Sequence, residues 1–352
     1  MWDAGEGQFA WEVSRDGSKV VHPEKVLYGQ AFAILGLSRY ARAAGNGAAA
    51  DLAWQVFSSV DAARHDPQLG GYLEEVEAAY PPGVGTGDRA ARSPNTHLHL
   101  IEALTELSAA VGQSAEHKAR VDARLAELAR VDVRLAELVS LVGSKLYQPA
   151  TGHLAKQFHR DWTPVDPQAQ LFAHELELVY FVAAAARQLA TASAGALPAD
   201  LAAVVPRVQQ LAIEVGLRGS QAAYDTQLGG FWEGGHGGRP TFEGGCGGGQ
   251  PVKAWWPQFE GMLGSFWLWQ ASGDGTHLQR MLGALSTLQQ RFADPAGGGE
   301  FFAYVADASG KPACGTQKAD EWKADYHSLR GLLYAQEWLA AARAGQAAVP
   351  KV

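Results

Sequence analysis

The sequence predicts an all-α fold, a toroid of stacked helix pairs joined by short β-hairpins. Two observations carry that prediction. Nine alanine- and leucine-rich stretches with helical periodicity run at 24–44, 47–64, 94–112, 115–143, 168–190, 198–217, 252–272, 275–292 and 320–344. Between alternate pairs sits a recurring turn with an aromatic, strand-like exit. Asp66-Pro-Gln-Leu-Gly-Gly-Tyr-Leu-Glu74 is nearly repeated as Asp225-Thr-Gln-Leu-Gly-Gly-Phe-Trp-Glu233, with looser copies at 3–11, 149–154 and 294–302. A hairpin–helix–loop–helix module of about 60–80 residues cannot bury its own apolar face. Neighbouring modules must therefore stack, and two concentric rings of helices are the closed solution. The 352 residues then form one domain, 1–352.

At the N-terminus, Met1-Trp-Asp-Ala-Gly-Glu6 has neither a basic start nor an apolar core, so it does not read as a secretory signal and a cytoplasmic location is expected. The chain is 47% hydrophobic, yet no apolar run approaches the roughly 20 residues that span a bilayer, which sets membrane roles aside. A net charge of −8 with scattered lysine and arginine lacks the concentrated basic face that nucleic acid requires. A neutral or small polar ligand fits better. In the hairpins, glycines allow the positive φ of tight turns, and the aromatic that follows is expected to point into the mouth of the ring.

Ionisable residues then appear among apolar ones in four helical segments. In Asn95-Thr-His-Leu-His-Leu-Ile-Glu-Ala103, helical spacing places Asn95, His99 and Glu102 on adjacent parts of one face; alone, His99 also reads as a hydrogen-bonded core histidine. Next, Ala119–Leu128 is followed at once by a near copy, Ala129–Leu138. Ten residues turn a helix by about 1000°, so the two apolar stripes differ by roughly 80°. An overlong outer helix or a kinked insert over 119–138, with a structural role, is expected. The second segment is Phe172-Ala-His-Glu-Leu-Glu-Leu178, where Glu177, three residues on, can fix the tautomer of His174 or raise its basicity; a solvated helix face is the alternative.

The glycine-rich run over 234–250 has neither the strand before it nor the helix directly after it that a nucleotide-phosphate fingerprint needs, and reads as a flexible loop. It contains Cys246. With Cys314, the other of the two cysteines, it lacks the spacing of a zinc site or disulfide framework. The third segment, Lys253-Ala-Trp-Trp-Pro-Gln-Phe-Glu260, suits a pyranose: an indole covers the C–H face of the ring while Glu260 accepts from hydroxyls. Trp255 and Trp256 can equally be packing. The fourth, Trp322-Lys-Ala-Asp-Tyr-His-Ser-Leu-Arg330, puts His327 at the start of the last helix, where the dipole disfavours imidazolium and keeps a base neutral.

Together and in this order the four segments resemble the N-acylglucosamine 2-epimerase family, which includes cellobiose 2-epimerases and mannose isomerases. The resemblance runs from about residue 24 to 344, and its most specific parts are His-Leu-Ile-Glu-Ala at 99–103, His-x-x-Glu at 174–177, Trp-Trp-x-Gln-x-Glu at 255–260 and Trp-Lys-x-x-Tyr-His at 322–327. It implies an (α/α)6 barrel with a central pocket. It also implies His174 and His327 as the acid/base pair, His99 and Glu177 in support, and Asn95, Trp255, Trp256, Glu260, Trp322 and Tyr326 holding the sugar. One histidine would remove the C2 proton of an open-chain aldose beside its carbonyl, and the other would return a proton on the opposite face of the enediolate. Neither metal nor cofactor is expected. The same scaffold permits aldose–ketose isomerisation of a mannose-like sugar. A toroidal glycosidase would need two carboxylates flanking a glycosidic bond, whereas histidines dominate here. A degenerate, non-catalytic carbohydrate-binding protein is the remaining alternative.

The sequence departs from the family in three ways. Nine helices and five hairpins stand where a full toroid has twelve helices in six modules, so a ring lacking its first three helices is expected. The family's second helix is implied to carry an arginine and aromatic residues facing the pocket, and residues 1–23 hold no replacement. Such a gap exposes inner-helix apolar surface and predicts instability or association, in the simplest case into a homodimer. Lastly, the family's Gly-His-Asp is Ala173-His174-Glu175.

Overall fold

The structure, a computed structural model, describes residues 1–74, 91–115, 121–191, 197–241, 251–296, 299–306, 309–313, 315, 318–320 and 322–344. Cys246 and Cys314 lie outside them. Among the described residues there are nine α-helices: α1 (Leu27–Ala44), α2 (Gly47–Arg64), α3 (Pro94–Ala115), α4 (Val121–Leu141), α5 (Phe172–Thr191), α6 (Ala199–Ala223), α7 (Trp256–Ser272), α8 (Gly275–Thr287) and α9 (Tyr326–Arg343). None is long and apolar enough to cross a membrane.

The helices alternate between two layers. α1, α3, α5, α7 and α9 each pack against the next and form the inner ring, while α2, α4, α6 and α8 back their preceding partners from outside. Sequence explains the assignment. Every residue of α5 from Phe172 to Ala185 is buried, as its near-continuous apolar run requires, whereas α6 and α8 bury a single stripe. α7 approaches α5 at Gly264, where a Cβ would lie 2.7 Å from the Leu176 carbonyl oxygen. Short antiparallel pairs, never longer than three residues, line the end of the ring that carries the N-termini of the inner helices.

The recurring turn has one construction. Asp66 Oδ1 accepts from the backbone N–H groups of Gln68 and Leu69, as Asp225 Oδ1 does from Gln227 and Leu228. The paired glycines take φ of +75° and +70° in one copy and +74° and +77° in the other. Each aspartate's second oxygen pairs with a cation further along the chain, Arg92 or Lys253, at 2.7 Å. The exit strand is clamped by the next inner helix. Gln258 Oε1 accepts from Phe231 N–H and its Nε2 donates to Phe231 C=O, both at 2.8 Å; Gln30 holds Phe9 in the same way, and His97 Nε2 accepts from Tyr72 N–H at 3.1 Å. Glu175 plays this part for the hairpin at 153–154, accepting from the Leu154 N–H and contacting His153 Nδ1, both at 2.9 Å. A Gln258→Leu protein should lose about 1–3 kcal/mol of stability for each buried backbone group left unpaired, read by urea unfolding.

The aromatic that closes each turn does not enter the mouth. Tyr72 is buried and donates from its hydroxyl to Asp61 of α2 at 2.8 Å, and Phe231 is buried against Gly261 of α7. Side chains alternate along a strand, so the neighbour of Phe231, Trp232, lines the mouth instead. Of the duplicated segment, expected as an overlong outer helix or a kinked insert, and the glycine-rich run, expected as a flexible loop, the structure describes a part of each. The duplicated segment is described from Val121 as one α-helix, and the second copy packs inward: Val131 and Leu135 are buried, Asp132 accepts from Ser108, and Arg130 and Arg134 hold Asp61. A π-helical turn at Val142–Leu146 then ends it. In the glycine-rich run, Gly235–His236 pairs with Arg239–Pro240 across Gly237 and Gly238, whose φ of +59° and +73° make a tight hairpin. Residues 242–250 lie outside the described set.

Candidate active site

The inner helices converge on one buried cluster. α3 brings His99 and Glu102, α5 brings His174, Glu177 and Tyr180, α7 brings Trp256 and Glu260, and α9 brings Tyr326, His327 and Arg330. The last three share a face because i, i+3 and i+4 positions adjoin on a helix. Arg330 is the hub. Its guanidinium donates to Glu260 Oε1 at 2.5 Å, Glu177 Oε1 at 3.2 Å and Glu102 Oε1 at 3.3 Å, and to the Tyr326 hydroxyl, while lying 4.1 Å over the Tyr326 ring. Glu260 Oε1 also meets His327 Nδ1 at 2.6 Å, and its Oε2 accepts from the Tyr180 hydroxyl. The Tyr326 hydroxyl donates to Glu102 and lies 3.3 Å from His99 Nδ1.

His174 differs from the others. Its ring nitrogens have no hydrogen-bond partner among the described residues, and its ring lies 5.2 Å from that of Trp256, which in turn lies 5.5 Å from His327. One indole thus adjoins both histidines expected to act as acid and base. On the α3 side, His99 is enclosed by Tyr28 at 5.3 Å and Phe32 at 4.9 Å, and Tyr28 leads outward to Trp322 and Trp11. Trp322 is half exposed at the mouth. Asn95, one turn before His99, is half buried.

Charge in the cluster is unevenly shared. Burial alone would raise Glu102 and Glu260, but Arg330 outweighs it, with help from His99 and Arg39 at one and His327 at the other, and both carboxyls are held at about 2. Glu177 goes the other way: burial and the neighbouring Glu260 charge push it well above the usual carboxylate range. Burial, then the nearby His99 and His327, pull His174 down to about 3; burial also lowers His99 and His327, although Glu260 opposes it at His327. The resting imidazoles are therefore neutral at pH 7. A depressed histidine contributes stability above its unfolded value near 6.5 and loses it as pH falls toward the folded value. The thermal midpoint should drop as pH is lowered from 6.5 toward 4, and less steeply in a His174→Asn protein.

Several sequence expectations need correction. Glu177 does not hold His174; its described partner is Arg330, because His174 projects one turn earlier toward Trp256. Glu260 is fully buried with both oxygens already engaged, so it orients His327 rather than receiving sugar hydroxyls. Trp255 is likewise buried, its ring against Tyr304 and His327, which makes it packing; Trp256 is the open indole. His327 does begin the last helix, but burial is the larger cause of its neutrality. α1 brings an arginine and two aromatics to the cluster, Tyr28, Phe32 and Arg39; Arg39 lies 3.6 Å from Glu102 and also donates to the Tyr334 hydroxyl of α9. Arg330 was legible only as the residue three beyond His327. Glu177, Glu260 and His327 offer three ligand atoms within 4.8 Å of one another, but the Arg330 guanidinium already bridges the two carboxylates.

Comparisons with known proteins bear on the family and the fold. The profile of the family described as N-acylglucosamine 2-epimerase (GlcNAc 2-epimerase) matches residues 1–177. The cellobiose 2-epimerase of Bacteroides fragilis is 25% identical over 336 residues, covering 94% of this chain and 76% of that protein. The solved cellobiose 2-epimerase of Spirochaeta thermophila superposes with a TM-score of 0.72 at 25% identity, over 94% of this chain and 74% of that one. A solved D-mannose isomerase, 17% identical with a TM-score of 0.66 over 90% of this chain and 72% of its own, shares the fold.

Proposed function

The chain belongs to the N-acylglucosamine 2-epimerase family, and on that premise we propose that it inverts C2 of an aldose by proton transfer between His174 and His327. The observation that carries this reading is the pair of neutral, buried imidazoles on facing helices α5 and α9, both beside the single indole of Trp256. A proton next to a carbonyl is acidic enough for imidazole only when the developing enediolate is stabilised, so the sugar reacts in its open-chain form.

The two histidines are unequal. His327 donates from Nδ1 to Glu260, which leaves Nε2 with its lone pair as acceptor, and the carboxylate is placed to stabilise the imidazolium formed when that nitrogen takes the C2 proton. His174 has no counter-charge of its own, so a proton it takes from solvent is readily surrendered to C2 of the enediolate, while His327 releases to solvent the proton it removed. Return on the opposite face gives the epimer, and the reverse reaction runs with the roles exchanged. His99, tied to Tyr326, and the wall of Tyr28 and Trp322 line the remaining approach.

The substrate class is an aldose bearing a free C2–H, either N-acylglucosamine or a glucose-terminated disaccharide such as cellobiose, the sugar named for several relatives. Incubation with a panel of aldoses in deuterated water should show deuterium entering C2 with an aldose as product. Exchange accompanied by a ketose would instead establish an isomerase, and absence of exchange with every aldose would refute the reading.

A further inference from the structure

We propose that Glu233 is a positioning residue for the epimerisation: it ties the start of α5 to the indole of Trp256 and so sets the tilt of that ring between His174 and His327. This rests on the epimerase reading above. The indole stands almost symmetrically between the two imidazoles, 5.2 Å from His174 with 40° between the ring planes and 5.5 Å from His327 with 39°. Turning it toward one histidine takes it away from the other. The torsion that turns an indole about its own attachment has a broad energy minimum, so the tilt needs a hold from outside the side chain.

Packing supplies that hold for Trp255 but not for Trp256. Trp255 is buried with its ring against Tyr304 and His327, and its indole nitrogen has no hydrogen-bond partner among the described residues. Trp256 is only half buried, and its indole N–H donates to Glu233 Oε1 at 3.2 Å. That N–H is the ring's single polar group and can only donate, so an acceptor is what fixes it. Glu233 is in turn anchored on the other helix. Its main-chain carbonyl accepts from the N–H of Ala173, the residue before His174, at 3.4 Å. The next residue, Gly234, lies so close to the strand leading into α5 that a Cβ there would be 2.6 Å from the Gln170 carbonyl oxygen. One residue thus spans from the backbone at the start of α5 to the ring carried by α7, and it fixes His174 and Trp256 relative to each other. Reacting groups must be held within about 0.5 Å of their productive geometry, and a displacement of about 1 Å can cost about a hundredfold in rate.

The test compares Glu233→Leu, Glu233→Asp and Glu233→Gln with the wild type. Leucine removes the acceptor, aspartate keeps the charge but withdraws the acceptor by one methylene, and glutamine keeps an acceptor oxygen at the same reach without the charge. C2 exchange should lose about tenfold in kcat in the leucine and aspartate proteins, with KM changed less than about twofold, because a mis-tilted indole still covers the sugar while the spacing to the imidazoles is lost. The glutamine protein should stay within about twofold of the wild type. NMR of isotopically labelled protein reads the tether itself: the Trp256 indole N–H, assigned by its absence in Trp256→Phe, should shift and exchange faster with solvent in the first two variants and keep its place in the third. If the leucine protein fails to fold, aspartate against glutamine still decides. An unmoved indole resonance or an undiminished kcat in the aspartate protein would overturn the proposal, as would a glutamine protein as impaired as the aspartate one, which would make the charge and not the reach the acting feature. A wild type that exchanges no aldose defeats the epimerase reading, whereas an active wild type with unchanged variants defeats the positioning role alone.

Discussion

A His174→Asn protein should fold as the wild type does and lose C2 exchange by about two to four orders of magnitude, the usual contribution of a positioned acid or base. Asparagine keeps a polar side chain of similar reach but has no nitrogen that can take a proton. Because the described residues offer His174 no hydrogen bond, its replacement orphans nothing, and the unfolding transition at pH 7 should move by less than about 1 kcal/mol. The same change at His327 is different in kind. It strips Glu260 of one of its partners, so a loss of activity there mixes chemistry with disturbance of the charged cluster. His174 is the cleaner experiment. NMR of the aldose in deuterated water reads the exchange, and an undiminished rate in the folded variant would refute its role.

The fold was largely written in the sequence because each module repeats its own instructions. Asp66 and Asp225 cap the same turn, followed by the same two glycines, and those local devices fix the hairpins without reference to the rest of the chain. Helix periodicity then did the remainder; the nine stretches differ from the observed helices mainly at their starts. The last begins at Tyr326 rather than near 320 because Asp320 accepts from the N–H groups of Trp322 and Lys323 and holds a turn there. Which polar residues would gather was also partly legible, since helical spacing aligned His99 with Glu102 and His174 with Glu177. Their pairings were not. Within one helix Glu177 adjoins His174, but the ring of helices presents Arg330 to it from α9, 153 residues away in sequence, and a buried carboxyl goes to the nearest cation. Glu260 resembles a sugar ligand in sequence for the same reason: nothing local shows that Tyr180, His327 and Arg330 already occupy both its oxygens. The aromatic wall of Tyr28 and Phe32 does have a local signal, an i, i+4 pair on α1.

Arg330→Met should be the most destabilising single change in the molecule. It leaves Glu102, Glu177 and Glu260 buried without the cation that holds two of them ionised, and breaking such a pair costs about 3–5 kcal/mol. The pH dependence distinguishes this account from simple loss of packing. In the wild type Glu102 and Glu260 are depressed to about 2, so they contribute stability above the unfolded carboxyl value near 4.5 and lose it as pH falls. Without Arg330 burial dominates and raises both, so the penalty for keeping them charged is greatest at neutral pH and disappears once they protonate. The stability gap between the two proteins, measured by urea unfolding, should therefore narrow from pH 7 to pH 4. Arg330→Lys, which keeps the charge but cannot reach three carboxylates at once, should fall between them. A gap that stays constant over that range would mean the guanidinium serves as filler against Tyr180, Phe181 and Tyr326 rather than as the charge that keeps Glu260 available to His327.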